Sequence, residues 1–202
     1  MNTSNEIAAV LPVLLFTLGI CLVAWGLQIT NYILRGIAIW KMSANRGIAY
    51  GGLGFVPIVN RYQLGKLAGE IEFGKKKVKN TGVWLLVLPI ALGAVAVIGM
   101  ILIMVPYTFR MIALDQYPYV SPEMIASPLI GFTVGIVLFT LVMIFAQAIL
   151  YLFRGLALHR VFSLYHGGQR PVFYTILAIF IPLAESILLF KSRNKPLLDT
   201  NL

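Results

Sequence analysis

Residues 82–109 read GVWLLVLPIALGAVAVIGMILIMVPYTF, a run of 28 with no charged side chain. A helix rises about 1.5 Å per residue and the hydrocarbon core of a bilayer is about 30 Å thick, so roughly 20 apolar residues make a crossing. This run exceeds that length. Working outward, Ile7 to Thr30 and Pro128 to Phe153 pass the same test, and Pro171 to Phe190 just reaches it. A shorter apolar patch, Gly47 to Asn60, has 14 residues and would extend only about 21 Å as helix.

Composition agrees with a bilayer solvent. Of 202 residues 59% are hydrophobic and 11% charged, whereas a soluble domain carries about 25% charged residues. The formal charge of +9 is spread between apolar runs, which points to topology and lipid contact and not to nucleic acid. Between the first two spans lie Arg35, Lys41, Arg46, Arg61, Lys66, Lys75, Lys76, Lys77 and Lys79, with Glu70 and Glu72 as the acids. Arg110 to Ser127 holds one basic residue against Asp115 and Glu123. The positive-inside rule therefore predicts an outside N-terminus, a cytoplasmic basic loop, and an outside turn at Tyr117-Pro118-Tyr119. No Lys or Arg precedes Arg35, so the first span lacks the basic start of a cleaved signal peptide. Cys21, the single cysteine, is expected to pack as a small buried hydrophobe, since Ile20 is too bulky for a lipoprotein site.

An internal repeat is expected. Gln28, Tyr32, Arg35 and Gly36 recur 119 residues later as Gln147, Tyr151, Arg154 and Gly155. Phe55-Val56-Pro57-Ile58-Val59-Asn60 resembles Phe180-Ile181-Pro182-Leu183-Ala184-Glu185 at an offset of 125, an insertion of six. The reading is one transmembrane domain over 1–202, with halves 7–69 and 128–195 joined by the helix over 82–109. The fold expected is all-α, a membrane helical bundle of three long helices plus two Pro-broken re-entrant or interfacial segments. A fourth crossing over 171–190 is the alternative, but it would put Lys191, Arg193 and Lys195 outside, whereas a hairpin keeps the C-terminus cytoplasmic.

Glu185 and Asn60 are the candidate polar or ligand residues, because an acid or amide at bilayer depth pairs, protonates or lines a polar path. Gln28 and Gln147 join them as amides able to hydrogen-bond between helices. Tyr32, Arg35, Tyr151 and Arg154 read as anchors at the headgroup level, and Lys75, Lys76, Lys77 and Lys79 as contacts for anionic lipid. Gly131-x-x-x-Gly135 and the strip Gly93, Ala94, Ala96 and Gly99 are packing signals for close helix approach. His159 and His166 have no Cys or acid beside them, so no metal is expected. No hydrolase elbow, zinc-protease or phosphate-loop motif occurs, so neither catalytic residues nor a cofactor are expected.

Val56-Pro57-Ile58-Val59-Asn60-Arg61-Tyr62-Gln63-Leu64-Gly65-Lys66-Leu67-Ala68-Gly69, followed by Trp84-Leu85-Leu86-Val87-Leu88-Pro89, resembles a pattern of small prokaryotic multi-pass membrane proteins: Ile/Val-Pro-x-x-Asn-x-Tyr-x-Leu-x-Lys-x-Ala-Gly, then a Trp-bearing apolar helix. Glu70 to Thr81 is an insertion relative to that pattern, and the second half keeps only Pro182 and a polar residue. The resemblance implies a bacterial cytoplasmic membrane protein and carries no substrate. The expected function is a non-enzymatic accessory or scaffold subunit that meets the bilayer and a membrane-protein partner or a second copy. A small permease or channel subunit is the alternative, and a membrane-embedded enzyme the third class.

Overall fold

The computed structural model describes residues 3–73, 76–117, 119 and 121–198. Helix dominates it: α1 (Thr3–Asn45), a 3₁₀ turn (Gly51–Phe55), α2 (Val59–Ala68), β1 (Ile71–Phe73), β2 (Lys76–Val78), α3 (Thr81–Asp115), α4 (Pro122–Tyr165), α5 (Arg170–Phe180) and α6 (Pro182–Ser192). Three helices, over Leu11–Asn45, Thr81–Leu114 and Pro122–Tyr165, are long and apolar enough to cross a membrane. The helices outrun the apolar spans because helix continues after the side chains turn amphipathic. The all-α expectation holds, and among the described residues the strands are one short pair in the lysine-rich insertion. There Ile71, Glu72 and Phe73 pair antiparallel with Val78, Lys77 and Lys76.

The chain forms two compact units, Met1–Gly82 with Gly155–Leu202, and Val83–Arg154. In the first unit α1 is bare from Leu11 to Thr30 and acquires a packed face only further on. Ala38, Ile39 and Met42 are fully buried, at the spacing of one helical face. The last turns of α4 repeat that pattern with Ala157, Leu158, Val161 and Phe162. Leu64 and Leu67 of α2 and Leu189 of α6 complete this core. Cys21, expected to be buried, is exposed on the bare stretch of α1.

Both Pro-broken segments are hairpins. The first climbs α1 through the 3₁₀ turn, where the Tyr32 hydroxyl donates to the Phe55 carbonyl and the Phe55 ring covers Gly36. It reverses at Ile58, whose φ of 69° and ψ of −51° form a γ-turn closed by Val59 N–H donating to the Pro57 carbonyl at 2.7 Å. α2 then descends until Arg46 donates to the Leu67 carbonyl. The second climbs as α5, with Ile179 covering Gly155. It breaks at Ile181, an extended residue before Pro182, which opens α6 at its first turn. α6 descends beside α1 in the same direction, Asn31 meeting Ser186 and Asn45 Nδ2 donating to the Arg193 carbonyl at 3.0 Å. The ends of this hairpin meet: His166 Nε2 lies 2.8 Å from Ser192 Oγ, and Leu198 N–H donates to the Leu164 carbonyl at 2.9 Å.

In the second unit α3 and α4 run antiparallel. Tyr107 stacks on Phe132 with ring centroids 4.1 Å apart, and Phe139 lies on Gly99. Of the glycines read as packing signals, Gly99 makes the close approach. Gly93 and Gly131 have no atom within 4 Å of an added Cβ, and Gly135 would meet Ile103 only at 3.8 Å.

Candidate functional site

Glu185 sits in the first turn of α6, three residues after Pro182, and is 1% exposed. Its Oε1 lies 3.5 Å from Arg35 NH2, and the Arg35 side chain is 14% exposed. Arg35, read from the sequence as a headgroup anchor, is thus turned inward, because a buried carboxylate is tolerated only beside a cation. One helical turn before it, Asn31 accepts from the Ser186 hydroxyl, so two polar contacts join α1 to α6 at the same level. The repeat counterpart Asn60 is also buried, on α2, but its side chain makes no hydrogen bond among the described residues. Its neighbour Gln63 does, donating to the Tyr50 carbonyl at 3.0 Å.

Gln28 is exposed on the bare stretch of α1, and Tyr32 is committed to the Phe55 carbonyl. Gln147 and Tyr151 line an apolar groove of about 490 Å³ with Met100, Phe139 and Met143, within the α3–α4 unit. Arg154 is partly buried on α4. Lys76, Lys77 and Lys79 are exposed, Lys77 lying 3.6 Å from Glu72 across the β-hairpin, and Lys75 lies outside the described residues.

Two clusters were not legible in the sequence. The first is a cavity of about 760 Å³ where α1, α2, the β-hairpin and the last turns of α4 come together. Arg46, Glu70, Glu72, Lys77, His159 and Arg160 supply its charged and polar wall. Glu70 and Glu72 were its one visible signal, as the acids of a basic loop. The second is a hydrogen-bonded chain at the mouth of the α5–α6 hairpin. Lys195 Nζ lies 3.2 Å from His166 Nδ1, His166 Nε2 lies 2.8 Å from Ser192 Oγ, and that hydroxyl donates to the Leu188 carbonyl at 2.7 Å. An ammonium can only donate, so Nδ1 accepts and Nε2 carries the proton. Burial, then the positive charges of Lys195, Arg170 and Lys191, hold His166 below the ordinary imidazole range. Tyr174 packs edge-on against its ring with centroids 4.9 Å apart.

No family model, curated protein or solved structure matches the chain.

Proposed function

We propose that the chain is a non-enzymatic multi-pass protein of the bacterial cytoplasmic membrane, an accessory or scaffold subunit that holds a partner or a second copy. The observation that carries this reading is the internal engagement of Glu185. A carboxylate that is 1% exposed and 3.5 Å from Arg35 locks two helices together, whereas a permeation path needs polar groups facing a channel. The motif resemblance at 56–69 supports the bacterial assignment. The bare apolar surfaces of α1, α3 and α4 would lie in lipid, and the basic residues after the first span would face the cytoplasm.

On this reading the N-terminus is outside, both Pro-broken hairpins re-enter from the cytoplasmic side, and the C-terminus is cytoplasmic. Helices of 10 and 11 residues extend about 15 to 17 Å, far short of a bilayer core. An internal duplication belongs to the same reading. Gly36 under Phe55 has its counterpart in Gly155 under Ile179, and the insertion of six equals the difference between the 11-residue α5 and the 5-residue 3₁₀ turn.

The test is tagged purification from native membranes in mild detergent, with Glu185→Gln and Asn60→Ala compared for assembly and for ion flux in reconstituted vesicles. A stoichiometric membrane-protein partner, or a defined homo-oligomer, without flux is expected. Flux that Glu185→Gln or Asn60→Ala abolishes while assembly persists would favour the permease or channel reading instead.

A further inference from the structure

The cavity between the ends of α1 and α4 carries a specific charge pattern. Glu72 and Lys77 lie 3.6 Å apart and offset each other. Arg46 gives one N–H to the Leu67 carbonyl, which leaves most of its fork for other acceptors. Arg160 is partly buried and makes no hydrogen bond or ion pair among the described residues, and Glu70 likewise has no ion pair there. What remains is two guanidinium groups, one carboxylate and the His159 imidazole around a space of about 760 Å³. Two forks suit a phosphodiester, which arginine binds bidentately, and the carboxylate suits an ammonium that can donate.

Depth selects the source. Beyond the inward-turned Arg35, the first charge on α1 is the exposed Lys41, beside the half-exposed Trp40, the pairing found where hydrocarbon meets headgroups. Arg46 lies five residues on, just past the end of α1 and about 7.5 Å further by helical rise, which on the membrane reading puts it in the headgroup layer. We propose that this cavity binds the phosphoethanolamine headgroup of a membrane phospholipid, the phosphodiester between Arg46 and Arg160 and the ammonium at Glu70. The assignment rests on the membrane reading above but not on the existence of a partner, because lipid retention is read on the isolated chain.

The experiment is native mass spectrometry of the purified full-length chain in non-denaturing detergent, titrated with phosphatidylethanolamine, phosphatidylcholine or phosphatidylglycerol of one acyl composition. Phosphatidylethanolamine is expected to be retained about tenfold more tightly than phosphatidylcholine, whose quaternary ammonium has no N–H to donate. Arg160→Gln should weaken that retention about tenfold, and Glu70→Gln should abolish the preference for ethanolamine while phosphatidylglycerol binds as before. Lys41→Gln, outside the cavity, should change nothing. Glu70 is exposed, so Glu70→Gln keeps the test readable even if Arg160→Gln does not fold. Equal retention of the three lipids, or retention indifferent to both substitutions, overturns the proposal. So does binding of soluble glycerophosphoethanolamine without binding of the lipid, which would place the ligand in the aqueous pool.

Discussion

The guanidinium of Arg35 on α1 lies 3.5 Å from the carboxylate of Glu185 on α6, residues 150 positions apart in the chain and together almost closed to solvent. The pair fixes how α6 sits on α1, because a slip along the helix would strand both charges in an apolar core. Removing one partner from a buried pair costs about 3 to 5 kcal/mol, whereas replacing both with apolar residues of similar volume is often neutral. Glu185→Leu is therefore expected to lower the unfolding midpoint in detergent sharply, and Arg35→Met added to it to recover most of the loss. Equal damage from the single and the double variant would rule out the pair as the lock.

Gly65 of α2 and Gly82, the second residue of α3, lie backbone against backbone, and a Cβ at Gly65 would overlap the Gly82 Cα. Backbone yields less readily than a side-chain tip, so Gly65→Ala should destabilise by about 1 to 3 kcal/mol, the range for overpacking. Gly26→Ala, with no atom within 4 Å on bare helix, should be neutral or stabilising, since alanine favours helix by about 1 kcal/mol. Paired thermal melts of the two variants in detergent check both signs.

Ile58 is a β-branched residue held at φ 69° and is 52% exposed, so it carries strain with little packing in return. Ile58→Gly relieves a conformation that costs about 1 to 3 kcal/mol and gives up only part of that in chain entropy. The variant is expected to melt higher than the parent, and a lower melting point would show that the exposed side chain contributes more than the strain removes.

His166 at the α5–α6 mouth titrates below the ordinary imidazole range, through burial first and then through Lys195, Arg170 and Lys191. A base whose folded-state pKa is depressed binds fewer protons folded than unfolded, so its contribution is complete above about pH 6.5 and is lost as the pH falls toward the folded value. Protonation also places an N–H on Nδ1 facing the Lys195 ammonium. Stability should fall between pH 7.5 and 5.5 in detergent, and His166→Leu should flatten that slope, as followed by melting at each pH.

Asn194, exposed just past α6, and the exposed Lys41 on α1 should face the same side of a bilayer. In a Cys21→Ser background, Asn194→Cys and Lys41→Cys are expected to react with an impermeant maleimide only in inside-out vesicles. Labelling of Asn194→Cys from the opposite side to Lys41→Cys would mean that 171–190 crosses.

The candidate site was only partly visible in the residues. Glu185 stood out as an acid in an apolar run, and Arg35 as a basic residue at the end of one, yet nothing local links them. Their pairing is a contact between helices, which no periodicity encodes. Arg46 and Arg160 are two basic residues among many in the linkers, and nothing local links them to Glu70 or His159, because a cavity is defined by what surrounds it. His166 was seen as one of two histidines seven residues apart, although its neighbours prove to be Ser192 and Lys195, from the far end of the hairpin. The pairing of β1 with β2 was hidden by its lysines, which favour a solvated reading over a paired one.

Hydropathy by itself determined the three long helices, and Pro182 marked where the last apolar run could break, since a run of apolar side chains and a missing backbone donor are properties of neighbouring residues. Tertiary structure alone decided that both broken segments turn back, and that Arg35 points into the protein. Those outcomes depend on residues far apart in the chain meeting in a poorly solvated core, where a charge must find its opposite and a hairpin is held only by what closes its mouth.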